Sequence, residues 1–300
     1  MLLFQQMLVL FTYMLIGWAA RRKGLLDENF GRQISWLVLN VANPLMIVSS
    51  AINGDGSVKG SELLMTAALA AATYTLLLLL AWVTPKLFRI PDSEAGYFRL
   101  MIVFNNIGFM GFPVISALYG SGALLYAAVF LLPYNLLFYT YGINTISRTR
   151  QKFQWRKVLN AGVIASILAV VLYLTQAPVP QYVKSTAQGL SNLTAPLSMM
   201  VIGISLAALS LKELFLDGKM LLFAALKLLV VPVAGMLAIR QAVSNPALQG
   251  VCMVMLATPA GSMTAMLAQQ YGGGGKVAQG VALTTLLSVI TIPLVAMLTL

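Results

Sequence analysis

Histidine is absent from this 300-residue chain, cysteine occurs once, and only 9% of residues are charged against 59% hydrophobic. Without imidazole there is no serine–histidine pair and no histidine metal ligand, and a lone Cys252 in an apolar run makes no disulfide framework. Acids are scarcer than bases. The eight, Asp27, Glu28, Asp55, Glu62, Asp92, Glu94, Glu213 and Asp217, all lie in loops or at the ends of apolar runs. The runs therefore hold no aspartyl dyad, and they lack the carboxylates that proton- and sodium-coupled carriers usually keep in the membrane. An enzyme, a metal site and a cofactor are not expected.

What the chain does have is length in its apolar runs. A soluble domain carries roughly 25% charged residues. Here stretches near the length of a bilayer crossing recur throughout. Hydrocarbon admits only helices or closed barrels, and continuous rather than alternating runs select helices. The expected fold is an all-α membrane protein with ten spans, near 3–20, 33–51, 62–83, 97–118, 122–146, 158–175, 188–209, 218–239, 248–270 and 277–298. The first run has no cationic residues before it and Arg21-Arg22-Lys23 after it, which reads as a retained span and not as a cleaved signal.

Of nineteen Lys and Arg, fifteen fall on one set of alternate loops, the basic loop 147–157 among them, and three, Lys59, Lys184 and Arg240, on the other. Cytoplasmic loops carry the positive excess, so both termini are expected outside. The net charge of +11 is thus a topology signal with contact to anionic lipid heads, in a multi-pass protein of the cell membrane. Nucleic acid is not expected as a partner.

The halves 1–150 and 151–300 echo one another. Asn40-Val41-Ala42-Asn43-Pro44 in the second span parallels Asn192-Leu193-Thr194-Ala195-Pro196 in the seventh, and Pro133 in the fifth parallels Pro293 in the tenth. Five spans per half is an odd number, so the second half enters from the opposite side. Such a five-plus-five inverted repeat suits alternating access.

The fourth and ninth spans are broken at matching places, by Asn105-Asn106-Ile107-Gly108-Phe109-Met110-Gly111-Phe112-Pro113 and by Thr258-Pro259-Ala260-Gly261-Ser262. As helix the first stretch costs on the order of 5 kcal/mol in propensity. Pro113 and Pro259 deprive the carbonyls of Phe109 and Met255 of their donors, and such groups must face protein, water or a ligand. Each break also exposes the electropositive amides of a helix N-terminus, a ready anion site. The candidate binding residues are Asn105, Asn106, Gly108, Gly111 and Pro113 from the first break. From the second they are Thr258, Pro259, Ala260, Gly261 and Ser262. The alternative is a pair of proline kinks satisfied by neighbouring helices. Glycines, polar neighbours and the pairing between halves favour a binding role.

Lys227 is the one charged residue deep in a span. An intramembrane lysine costs roughly 3 kcal/mol on insertion scales. It can snorkel, neutralise the negative ends of half-helices, or balance an anionic substrate. Asn40 and Asn43 join the candidate list, with Asn192 beside them, although interhelical hydrogen bonding accounts for them as well. Asn135 and Asn144 in the fifth span are weaker candidates. The run from Gly272 to Gly275 reads as a hinge or linker, since no lysine–threonine pair follows it.

Leu39-Asn40-Val41-Ala42-Asn43-Pro44, the 105–113 stretch and Ala257-Thr258-Pro259-Ala260-Gly261-Ser262 resemble the auxin efflux carrier family in its short prokaryotic form, over the whole chain. The resemblance implies a scaffold of spans one, two, six and seven and a transport unit of spans three to five and eight to ten. It implies that spans four and nine cross at Pro113 and Pro259 with substrate beside the crossing, and a homodimer through the scaffold. The fold it implies is shared with bile-acid symporters and sodium/proton antiporters, and the substrates are carboxylates such as malate or auxin-like weak acids. The expected function is a secondary transporter of a small organic anion. A sodium- or proton-coupled symporter of an organic solute is the runner-up, and a channel the third option.

Overall fold

The computed structural model describes residues 2–54, 58–147, 155–271 and 274–300. Among the described residues the chain is helical, without a strand. Besides two single turns, Trp155–Val158 and Leu211–Leu214, its helices are α1 (Leu2–Arg22), α2 (Glu28–Ile52), α3 (Gly60–Leu87), α4 (Asp92–Val103), α5 (Ile107–Tyr119) and α6 (Leu124–Ile146). They continue with α7 (Ala161–Thr175), α8 (Gln181–Ala207), α9 (Gly218–Ala242), α10 (Pro246–Ala257), α11 (Ser262–Gln270) and α12 (Gly274–Thr299). Six of these, α2, α3, α6, α8, α9 and α12, are long and apolar enough to cross a membrane, while α5, α7 and α10 are shorter apolar helices. The chain is therefore a multi-pass membrane protein.

Several boundaries differ from the sequence reading: α2 starts at Glu28 and not near 33, α4 at Asp92 and not near 97, and α8 at Gln181 and not near 188. α7, expected near 158–175, starts at Ala161 behind an Asn160 cap, because the Asn160 carboxamide accepts the Val163 N–H. Gly274 and Gly275, expected in a linker, open α12. Gly272, Gly273 and residues 148–154 of the basic loop lie outside the described residues.

Packing sorts the helices. α1 lies along the second half of α8, while α2 packs on α7 and on the first half of α8. At Gly17 and Gly203 an added Cβ would run into the main chain of Met200 and Met14 respectively, so α1 and α8 touch backbone to backbone. Small residues at such contacts are the usual means of holding membrane helices together, since lipid supplies no hydrophobic drive between them. α3 packs on α4 and α6, and α12 on α9, α10 and α11.

Two polar clusters tie helix starts together at separate places. In the first, Glu62 of α3 accepts from Tyr126 Oη of α6 at 2.7 Å and from Asn245 Nδ2, the cap of α10, at 2.8 Å. In the second, Lys276 of α12 binds Glu94 of α4 at 2.8 Å and Asp217, the cap of α9, at 3.4 Å.

Candidate functional site

Both sequence breaks are breaks in the helices, and they meet. α4 stops at Val103 and α5 starts at Ile107; α10 stops at Ala257 and α11 starts at Ser262. The links between them pair as a single antiparallel bridge, Asn105 with Ala260. The Asn106 N–H donates to the Pro259 carbonyl at 2.8 Å, and the Gly261 N–H donates to the Phe104 carbonyl at 2.8 Å. Each link supplies partners the other lacks, so the main chain of the two irregular segments is satisfied inside the protein. Thr284 of α12 accepts the Ala260 N–H at 3.2 Å. Gly261 fits because it is small: a Cβ there would lie 3.0 Å from the Asn105 carbonyl oxygen and 3.2 Å from that of Phe104.

The position of the first break corrects the sequence reading. Pro113, expected at the crossing, lies inside α5, and residues 104–106 make the crossing instead. α5 opens with a π-turn, Ile107–Gly111, in which the Phe112 N–H reaches back to the Ile107 carbonyl. Widening the turn relieves the clash of the proline ring with the carbonyl four residues back and absorbs the missing donor. The Gly108 carbonyl then lacks its helical donor, and Asn43 Nδ2 of α2 supplies one at 3.0 Å. Similar π-turns occur at Val38–Ala42 and Leu226–Val230, each ending two residues before a proline, Pro44 or Pro232. A further one spans Phe138–Gly142.

At the second break the Met255 carbonyl, freed by Pro259, accepts from the Asn105 side-chain amide, with Thr258 Oγ1 at 3.4 Å. Asn105 is a bridge in its own right. Its side-chain oxygen accepts from Lys227 Nζ, and Lys227 also donates to the Ile102 carbonyl at 3.1 Å. Ile102 is near the C-terminal end of α4, and its usual helical donor, the Asn106 N–H, is committed to Pro259. A cation here meets the negative end of the α4 dipole.

Beside the crossing lies a cavity of about 250 Å³. Of the residues expected at the site, Asn40, Asn43, Asn105, Asn106, Gly108, Gly261 and Ser262 line it, whereas Gly111, Pro113, Lys227, Thr258, Pro259 and Ala260 do not. Asn135 is on the wall, but Asn144 and Asn192 are not. Asn192 is exposed and accepts from Gln188, and Asn144 donates to the Thr140 carbonyl of its own helix. Among the described residues no charged side chain lines the cavity.

The wall also includes Tyr134 and Tyr139 of α6 and the start of α7 at Asn160, residues the sequence did not single out. The Tyr134 ring is set by Phe104 and Phe138, at centroid distances of 5.5 and 6.0 Å. Asn160 is legible as a helix cap from its chemistry. Nothing in the sequence announces its second bond, Nδ2 to Asn135 Oδ1 at 2.6 Å, which joins α7 to α6.

Two features give the cavity polarity. No side chain caps the N-terminus of α11, whose first residues Ser262 and Met263 are on the wall. Two residues of the wall each carry a buried side-chain atom without a protein partner, Nδ2 of Asn106 and Oδ1 of Asn43.

Among characterised sequence families, the membrane transport protein model matches residues 2–296. An uncharacterized transporter of Methanocaldococcus jannaschii is 24% identical over 300 aligned residues, covering 96% of each chain. A second, from Methanothermobacter thermautotrophicus, is 25% identical over 232 residues, 76% of this chain and 75% of its own. With the family model spanning nearly its whole length, and with the motifs by which it resembles the auxin efflux carriers meeting at one crossing, this chain belongs to the membrane transport protein family.

Proposed function

We propose that the protein is a secondary transporter that moves a small organic anion, a carboxylate such as malate or an auxin-like weak acid, across the cell membrane by alternating access. The observation that carries this reading is the uncapped start of α11 beside the unpartnered Asn106 amide, both on the wall of one uncharged cavity at the crossing. Helix N-termini and carboxamide donors hold an anion without a counter-ion. Among the described residues no acid lines the cavity, which favours an anion over a cation. A sodium- or proton-coupled symporter is the second reading, because backbone carbonyls and hydroxyls can also hold an ion.

In this proposal the helices form ten spans in two inverted halves, 1–150 and 151–300, with α4–α5 and α10–α11 as the broken spans. Both ends of the chain would lie outside, a reading that the positive excess on alternate loops supports. The two polar clusters support the repeat. Glu62, Tyr126 and Asn245 stand at the starts of spans three, five and nine, and Asp217, Lys276 and Glu94 at those of spans eight, ten and four. Those triplets are equivalent under a five-span repeat. Spans one, two, six and seven would be the scaffold against which the other six move, and a scaffold-mediated homodimer fits that plan.

The test is uptake of labelled mono- and dicarboxylates by proteoliposomes, with and without sodium and pH gradients. Saturable uptake that exchanges with unlabelled acid is expected. Strict dependence on a sodium gradient selects the symporter, non-saturating flux selects a channel, and no flux of any acid overturns the proposal.

A further inference from the structure

Asn43 and Asn106 grip the same peptide unit from its two sides. Asn43 Nδ2 donates to the Gly108 carbonyl at 3.0 Å, and Asn106 Oδ1 accepts the Phe109 N–H at 3.3 Å. These bonds fix which way each carboxamide is turned, because each has one end committed to the main chain. The ends left over are chemically opposite. Asn106 offers a bare donor, Nδ2, and Asn43 offers a bare acceptor, Oδ1; both residues are on the cavity wall, 3% and 4% exposed.

A simple carboxylate satisfies only half of this arrangement. Its oxygens accept from Asn106 Nδ2 and from the α11 amides, but they carry the same sign as Asn43 Oδ1 and bring it nothing. We infer that Asn43 reads a hydrogen-bond donor on the transported molecule, so that the site selects acids bearing a donor over acids bearing only acceptors. This deepens the anion reading and rests on it. The donor can be a hydroxyl on the carbon skeleton or the O–H of a protonated carboxyl group; both present the same chemistry to Asn43. A polar site built around a donor discriminates strongly against an analogue that lacks it, because the buried acceptor is then left unpaired.

The experiment is calorimetric titration of the full chain in lipid nanodiscs with matched acids, 2-hydroxypropanoate against propanoate and 2-hydroxysuccinate against succinate, at neutral and at mildly acidic pH. If the donor is a skeletal hydroxyl, the hydroxy acid binds at least about tenfold tighter at both pH values. If it is a protonated carboxyl, the members of each pair bind alike at neutral pH and both tighten on acidification. In either case Asn43→Ala, which keeps Asn106 in place, brings the hydroxyl ratio or the pH response close to one. Asn106→Ala instead weakens both members of a pair by the same factor. Equal binding of paired acids with no pH response in the wild type overturns the inference, and so does an unchanged ratio in folded Asn43→Ala. The wild-type comparison needs no variant, so an unfolded Asn43→Ala does not blunt the test. Binding of all acids alike with no pH response sinks this inference alone, whereas binding of none sinks the anion reading with it.

Discussion

Lys227 and Asn105 hold one another at the crossing: the ammonium of the first donates to the side-chain oxygen of the second. The same ammonium holds the Ile102 carbonyl, and the same carboxamide holds the Met255 carbonyl. One lysine therefore links α9, the end of α4 and the end of α10 in a single chain of bonds. Lys227 is 1% exposed and does not line the cavity. Its contacts are those of a residue that positions Asn105 and neutralises a helix end.

Lys227→Met is accordingly expected to lower the melting temperature and transport together. It leaves the Ile102 carbonyl and Asn105 Oδ1 buried without donors, at about 1–3 kcal/mol each. Thermal unfolding in detergent and uptake in proteoliposomes, measured on one preparation, check this. Normal melting with a raised KM alone would instead make Lys227 a counter-charge for the substrate.

Two glycines that look alike in sequence separate sharply in space. Gly261→Ala puts a methyl 3.0 Å from the Asn105 carbonyl oxygen, against backbone that is itself fixed by the Gly261 N–H bond to Phe104. The links must part, and both stability and transport should fall. At Gly111 the nearest atom to a new Cβ is 3.7 Å away, and the residue sits in a helical turn with φ of −59°. Gly111→Ala should be tolerated, or stabilise by up to about 1 kcal/mol through helix propensity. Melting curves and uptake rates of the two variants, side by side, decide the matter; equal damage from both would mean the crossing is not where the bridge places it.

Much of this site was legible because the physics of a membrane interior is strict. Apolar length announced the helices, and breaks in two of them had to find partners. Composition could not say where along 105–113 the helix would part. Proline was read as the point of rupture, yet at Pro113, as at Pro44 and Pro232, the helix widens by one residue and continues. The rupture falls at Asn105 and Asn106, whose carboxamides replace main-chain partners. Lys227 was visible as a buried charge, but its role depends on which carbonyl its ammonium reaches, and only packing of α9 against α4 settles that. Asn160 and Tyr139 escaped notice because a cap and an aromatic residue look the same whether or not a cavity lies beside them.

The Lys276 cluster should respond to acid in a defined direction. Burial raises the Asp217 carboxyl, but the Met220 N–H, the Lys276 charge and the Lys219 N–H outweigh it and hold it below its ordinary value. A carboxyl depressed in the fold adds stability that is complete above its unfolded value and is lost as pH falls through the folded one. Asp217→Asn should therefore lower the melting temperature slightly at neutral pH and flatten the loss of stability on the acid side below pH 3.8, the ordinary value. The groups are about a quarter to a third exposed, so the neutral-pH loss is at most about 1 kcal/mol. Parallel acid melting profiles of wild type and variant would disprove the assignment.

The Asn135–Asn160 bond makes the sharpest claim about motion. It joins α6 to α7, and the Asn43 bond to Gly108 joins α2 to α5, so both cross between the helices proposed to move and those proposed to stay. If transport shifts one group against the other, these bonds exist in this conformation and not in its counterpart. Asn135→Ala removes one bond worth about 0.5–1.5 kcal/mol, which shifts the population away from this state by about two- to tenfold. The natural cysteine, Cys252, is buried, so a Ser262→Cys variant places a single accessible thiol on the cavity wall. Labelling of that thiol by a membrane-impermeant maleimide, applied from the side on which the cavity opens, should slow by up to that factor when Asn135→Ala is added. An unchanged labelling rate, with the double variant folded, would show that the bond survives the cycle and that α6 and α7 move as one body.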